Sequence, residues 1–206
     1  MNQTLAWKVL LIGGISAAGK TIISKRLGLS LGLPWMQVDD LLLAFQRASA
    51  SLPSGTEAMY YFVNTPNVWQ RQPQELCDAL IAIGETISAP LEVVIENHVD
   101  TSAPIVIEGD GILPSLFSRQ SMITRTDTGE IRAVFLVEPD ESVILTNMVG
   151  RGRGITVRTD EELRTEVHAK WLFGQWLVRE AASYNLPVLE PRPWETLADR
   201  ILGKLA

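Results

Sequence analysis

VLLIGGISAAGKT, residues 9–21, runs from five apolar or small positions into a loop almost without side chains. Gly14-Ile15-Ser16-Ala17-Ala18-Gly19-Lys20-Thr21 fits G-x-x-x-x-G-K-[ST] at every fixed position. Small residues let successive backbone N–H groups turn inward on an anion at a helix N-terminus. Lys20 adds a movable point charge for the β- and γ-phosphates, and the Thr21 hydroxyl is placed to ligate Mg²⁺. A bare glycine turn would satisfy the letters alone. The apolar strand before the loop and the amphipathic helix after it are the context a phosphate cradle needs.

The rest of the composition narrows the partners. The chain has 206 residues, 46% hydrophobic and 20% charged, enough to bury a sizeable core within one domain over 1–206. A net charge of −6 argues against nucleic acid or an anionic membrane as partner, so a bound anion must be captured locally. Cys77 is the only cysteine, which excludes an intrachain disulfide. No run approaches the ~18–20 apolar residues of a membrane span, and the reading is a soluble, cytoplasmic protein. Nothing in the sequence specifies an oligomeric state.

Short apolar runs alternate with amphipathic segments, the pattern of an α/β fold around a parallel sheet. KVLLI (8–12), PWMQV (34–38), PIVIE (104–108), RAVFLV (132–137) and PVLE (187–190) are the five strand candidates. DDLLLAFQRA reads as a helix with an acidic start. The stretch 73–99 reads as two helices broken at Pro90, with Ser88 as a cap. Thr159 and Glu162 have capping-box spacing and open a long helix to about Ser183, and WETLADRILGKL closes the chain as another.

Carboxylates and arginines follow the strands. Asp39 and Asp40 come after the second strand, where one serves as general base toward an acceptor hydroxyl and the other as ordinary helix-start chemistry. Asp39, nearer the strand, is the first choice. In IVIEGDGILP, Glu108 sits at a strand end suited to Mg²⁺, with Asp110 as a second candidate or a turn stabiliser. MVGRGRGITVR carries Arg151, Arg153 and Arg158 among glycines, the make-up of a hinged lid at about 150–158 that neutralises phosphate charge, Arg151 and Arg153 foremost. Arg47 is a weaker acceptor-side candidate. His98 and His168 lack metal-ligand spacing. Tyr60, Tyr61, Phe62 and Trp69 are core aromatics or the wall of an acceptor pocket. EPRPWET (190–196) either walls a base or supplies helix-start chemistry through Pro193 or Thr196.

Taken in order, GGISAAGKT, VDDLLLAFQR, IVIEGDGILP, FLVEPDESV with GRGRG, and LPVLEPRPWETLADRI resemble the small-molecule kinase branch of P-loop proteins. The spacing is similar to that of 2-phosphoglycerate kinases, with a looser similarity to chloramphenicol phosphotransferase. Asp110-Gly111 departs from the former, which tend to show a histidine there. The resemblance implies a P-loop NTPase three-layer fold, a five-stranded parallel sheet in order 2-3-1-4-5, and ATP with Mg²⁺. It also implies that Asp39 activates the acceptor, a small molecule on a helical insertion at about 41–100. The expected function is transfer of the γ-phosphate to a hydroxyl of a small metabolite or antibiotic. A nucleoside or nucleoside-monophosphate kinase and a nucleotide-switched binding ATPase are the alternatives.

Overall fold

A computed structural model of the chain describes residues 6–48, 54–152 and 158–205. Strands β1 (Val9–Gly14), β2 (Trp35–Gln37), β3 (Ile105–Glu108), β4 (Ile131–Leu136) and β5 (Val188–Leu189) form one sheet in the order β2-β3-β1-β4-β5. Every pairing is parallel. All five strands read from the apolar runs are present, with ends shifted by a residue or two. All six residues of β1 are buried, and alternate side chains of a strand point to opposite faces. Both faces of the sheet are therefore covered, as a parallel sheet requires.

Helices α1 (Lys20–Leu31), α2 (Val38–Arg47), α3 (Tyr61–Asn64), α4 (Pro73–Asp100), α5 (Gln120–Asp127), α6 (Glu141–Arg151), α7 (Asp160–Ser183) and α8 (Leu197–Lys204) supply the covers. Helix α1 packs on β1, β2 and β3, and α8 packs on α1. Helix α4 reaches β1 and runs along α7. Helix α7 opens with a complete capping box: Thr159 Oγ1 accepts from the Glu162 amide while Glu162 accepts from the Thr159 amide. The closing segment divides into a 3₁₀ turn at Trp194–Thr196 and then α8.

One expectation fails. Residues 73–100 form a single helix that passes through Pro90 without a break. Ser88 does not cap a second helix; its hydroxyl donates to the Gly84 carbonyl at 2.7 Å, one turn back. Pro90 lacks the N–H that would reach the carbonyl of Thr86. Continuity wins because Ile83, Ile87, Leu91 and Ile95 form one buried stripe across the proline, against the core that α4 shares with α7. Burying each such side chain is worth roughly 1.5–3 kcal/mol, and several together outweigh the ~3 kcal/mol proline penalty.

Register sets the functional edge. Ile12 of β1, Glu108 of β3 and Gln37 of β2 lie side by side across the sheet. Gly14, Asp39 and Asp110 each follow two residues beyond that row, so the loop and the acidic turns emerge at the same carboxyl edge. The chain leaves β1 for β2 and β3 on one side and reaches β4 on the other, which makes this edge a topological switch point.

Candidate active site

The loop after β1 has a backbone that only small residues allow. Gly14 has φ 130°, and a Cβ there would stand 2.1 Å from the Leu136 carbonyl oxygen of β4. Gly19 is left-handed at the N-cap of α1, and its Cβ would stand 1.7 Å from the Trp194 ring. Ala17 is also left-handed, at φ 68°, a conformation that costs an L-residue roughly 1–2 kcal/mol. No side chain caps α1; the Ile22 and Ile23 amides donate to the Gly19 carbonyl at 3.1 Å, and the amides just before them have no helical carbonyl to reach, which leaves them for a ligand.

Around this loop lies a cleft of about 520 Å³. Ser16, Ala17, Gly19, Lys20 and Thr21 form one side, and Asp39, Glu108 and Asp110 another. Helix α6 contributes Asn147 and Arg151, and Trp194 closes the end. Lys20, 5% exposed, donates to the Ile15 carbonyl at 2.8 Å and forms an ion pair with Asp110. Thr21 Oγ1 donates to Glu108 Oε1 at 2.7 Å. Burial pushes the Glu108 carboxyl above its ordinary range, against the opposing pull of Lys20 and the Thr21 bond. Asp39 is open to solvent in the cleft, yet the surrounding walls strip enough water to raise its pKa. Asp110 and Asp40 add to that rise, while Lys20 and Arg151 oppose it.

A buried carboxylate beside a threonine hydroxyl is a pair of hard oxygen donors, which suits Mg²⁺. Among the described residues no group of three or more His, Cys, Asp or Glu side chains makes a closed cation cage. An ion here would draw most of its ligands from phosphate and water, as Mg²⁺ commonly does.

The sequence candidates separate clearly. Gly14 to Thr21, Asp39, Glu108, Asp110 and Arg151 converge on one edge. Asp39 and Asp40 occupy the first turn of α2, whose N-cap is Gln37, so neither aspartate is the cap residue. Asp40 and Arg47 are exposed and do not line the cleft. Arg153 lies outside the described residues. Arg158 does not reach the cleft: it pairs with Glu166 of α7 and lies 4.0 Å over the Trp69 ring. His98 Nδ1 is 2.8 Å from the Ala103 carbonyl and His168 Nδ1 3.1 Å from Glu141, both ordinary structural contacts.

Two cleft residues and one basic residue outside the cleft lining escape sequence reading. Asn147 Nδ2 donates to the Ala17 carbonyl at 3.0 Å, tying α6 to the loop. Its only signal is a polar residue one turn before Gly150-Arg151. Trp194 was within the 190–196 segment, but nothing local says that its ring covers Gly19. Lys170 of α7 bonds Glu166 and the Met148 sulfur; burial pulls its pKa down to about 8, against the attraction of Asp110.

No family model matches the chain. It is 27% identical, over 96% of its length, to a 2-phosphoglycerate kinase of Methanothermobacter thermautotrophicus. The chain spans 65% of the length of that relative. The shikimate kinase structure from Bacteroides thetaiotaomicron superposes with a TM-score of 0.55 at 18% identity, covering 95% of this chain and 96% of that one. That likeness establishes a shared fold. The gluconokinase structure from Sinorhizobium meliloti covers 96% of this chain and 90% of its own at 16% identity, with a TM-score of 0.45.

Proposed function

We propose that this chain is an ATP-dependent phosphotransferase that moves the γ-phosphate to a hydroxyl of a small molecule. The observation that carries the reading is convergence: the Gly14–Thr21 loop, Lys20, Arg151 and three carboxylates share one cleft at a single sheet edge. Sequence similarity to a kinase supports it.

In this reading the loop amides and Lys20 hold the phosphates, so Lys20 exchanges Asp110 for phosphate oxygens when the nucleotide enters. Thr21 and Glu108 would hold Mg²⁺, which when bound neutralises charge on the phosphate oxygens. Arg151, which lines the cleft, would neutralise charge that develops on the transferred group. Asp39 takes the acceptor's proton as its oxygen bonds to the γ-phosphorus and the bond to the β-phosphate oxygen breaks, releasing ADP. Helices α2 to α4 would form the acceptor side, and Arg151 at the end of α6 would reach over the phosphates. Trp194 walls the base. Arg47 is exposed on α2 and outside the cleft lining, and a nucleoside or nucleoside-monophosphate kinase is the second reading.

The test is calorimetry of the full chain with Mg²⁺ and an ATP analogue, followed by acceptor-dependent ADP release. Binding that Lys20→Ala abolishes, with turnover stimulated by an alcohol, is the expected result. No heat with the parent, or equal heat with Lys20→Ala, sinks the reading.

A further inference from the structure

Beside the phosphate cleft lies a second hollow, of about 130 Å³. Val38 and Leu42 of α2, Phe62 of α3, and Leu80, Ile83 and Ile87 of α4 form its apolar wall. Its polar lining includes Asp39 and Asp110, which also line the cleft. The two spaces therefore meet at the carboxylate assigned as base. Phe62 is held in place, stacking on Trp69 at 5.4 Å and meeting Tyr61 edge-on at 5.3 Å.

From this geometry we infer that the acceptor is an uncharged or cationic alcohol carrying a compact ring or branched apolar group, and not an anionic metabolite. The inference rests on the phosphotransferase reading and names its substrate class. Size supports it: an apolar cavity of about 150 Å³ holds a benzene molecule, so this hollow takes one ring or a branched fragment of similar bulk. Charge supports it too. Among the described residues no cation lines the hollow. The cations that act on Asp39 are Lys20 and Arg151, both on the phosphate side, and Lys170 is engaged by Glu166. Once Lys20 turns to the nucleotide, an acceptor carboxylate or phosphate in the hollow would meet Asp39 and Asp110 across apolar walls, while the described cations that act on these two carboxylates, Arg151 and Lys170, stay outside its lining. A hydroxyl beside a ring meets neither penalty. The ring fills the hollow, the hydroxyl donates to Asp39, and a nearby ammonium, if present, faces Asp110.

The test is equilibrium binding to the full chain loaded with Mg²⁺ and a non-hydrolysable ATP analogue. The probes are trans-1,2-cyclohexanediol, 2-aminocyclohexanol, 2-hydroxycyclohexanecarboxylate and 2-phosphoglycerate. The first two should bind at least about tenfold tighter than the two anions, the discrimination a like-charge contact imposes. Leu80→Trp, which fills the hollow, should weaken them by roughly tenfold or more, with its fold checked by circular dichroism. Anions that bind as well as the neutral ring, or a ring alcohol that does not bind, overturn the inference from the parent protein alone. Failure of the analogue itself to bind counts instead against the phosphotransferase reading.

Discussion

Asp39 carries two opposing demands. Loss of water around its carboxyl, and then Asp110 and Asp40, raise its pKa above 3.8, so the charged form costs the folded state. A raised acid binds its proton more tightly when folded, so stability from this group is full below pH 3.8 and falls as pH rises through the raised value. Asp39→Asn removes that loss, and differential scanning calorimetry should show a higher melting temperature than the parent at pH 7. The same change should lower acceptor-dependent ADP release by about 10²–10⁴-fold, the range of a lost general base. A variant that melts higher yet turns over normally would remove Asp39 from the chemistry. Gly14 makes a purely steric case. Gly14→Ala sets a Cβ 2.1 Å from a backbone oxygen of β4, and urea unfolding should report a loss of at least about 2 kcal/mol.

Among the elements, α4 shows tertiary packing overriding a local rule. Its stripe from Leu76 to Val99 stays buried on both sides of Pro90. Pro90→Ala supplies the missing N–H without altering that stripe, and denaturant titration should find a gain of roughly 1–3 kcal/mol. The turn before α8 is organised differently. Arg200 donates to the carbonyls of Glu190 at 2.9 Å, Pro191 at 3.1 Å and Pro193 at 3.0 Å. Those bonds shape the segment that delivers Trp194 to Gly19. Arg200→Ala should cost about 1–2 kcal/mol of stability. It should also weaken ATP-analogue binding in calorimetry; unchanged affinity would mean the Trp194 wall does not contact the base.

For the molecule as a whole, ligand binding and stability are linked. The cleft joins the loop after β1 with β3, α1, α2 and α6, so an occupant that binds only the folded chain stabilises them together. At a free concentration about 100 times its Kd, Mg²⁺ with an ATP analogue adds about 2.7 kcal/mol, a rise of roughly 5–11 °C in Tm for a chain of this size. Lys20→Ala should erase most of that rise. An equal rise in that variant would place the nucleotide elsewhere. Among the described residues no helix is long and apolar enough to cross a membrane.

Local chemistry was legible along the chain. The five strands, the Gly14–Thr21 loop and the Thr159–Glu162 cap each depend on residues within a few positions of one another, so their glycines, hydroxyls and apolar periods declare them. Glu108 and Asp39 were recoverable for a related reason: each is at or just past a strand end, and parallel strands share one carboxyl edge. What the sequence left open concerns contacts between distant segments. Lys20 pairs with Asp110, Trp194 covers Gly19, Arg158 turns to Glu166 and Trp69, and Phe62 joins α2 and α4 around a hollow. None has a local signature, because each depends on register and helix packing that exist only after the chain has closed on itself. The Gly14–Thr21 loop is thus written in the order of residues, while the shape and charge of the space beside it arise from the folded whole.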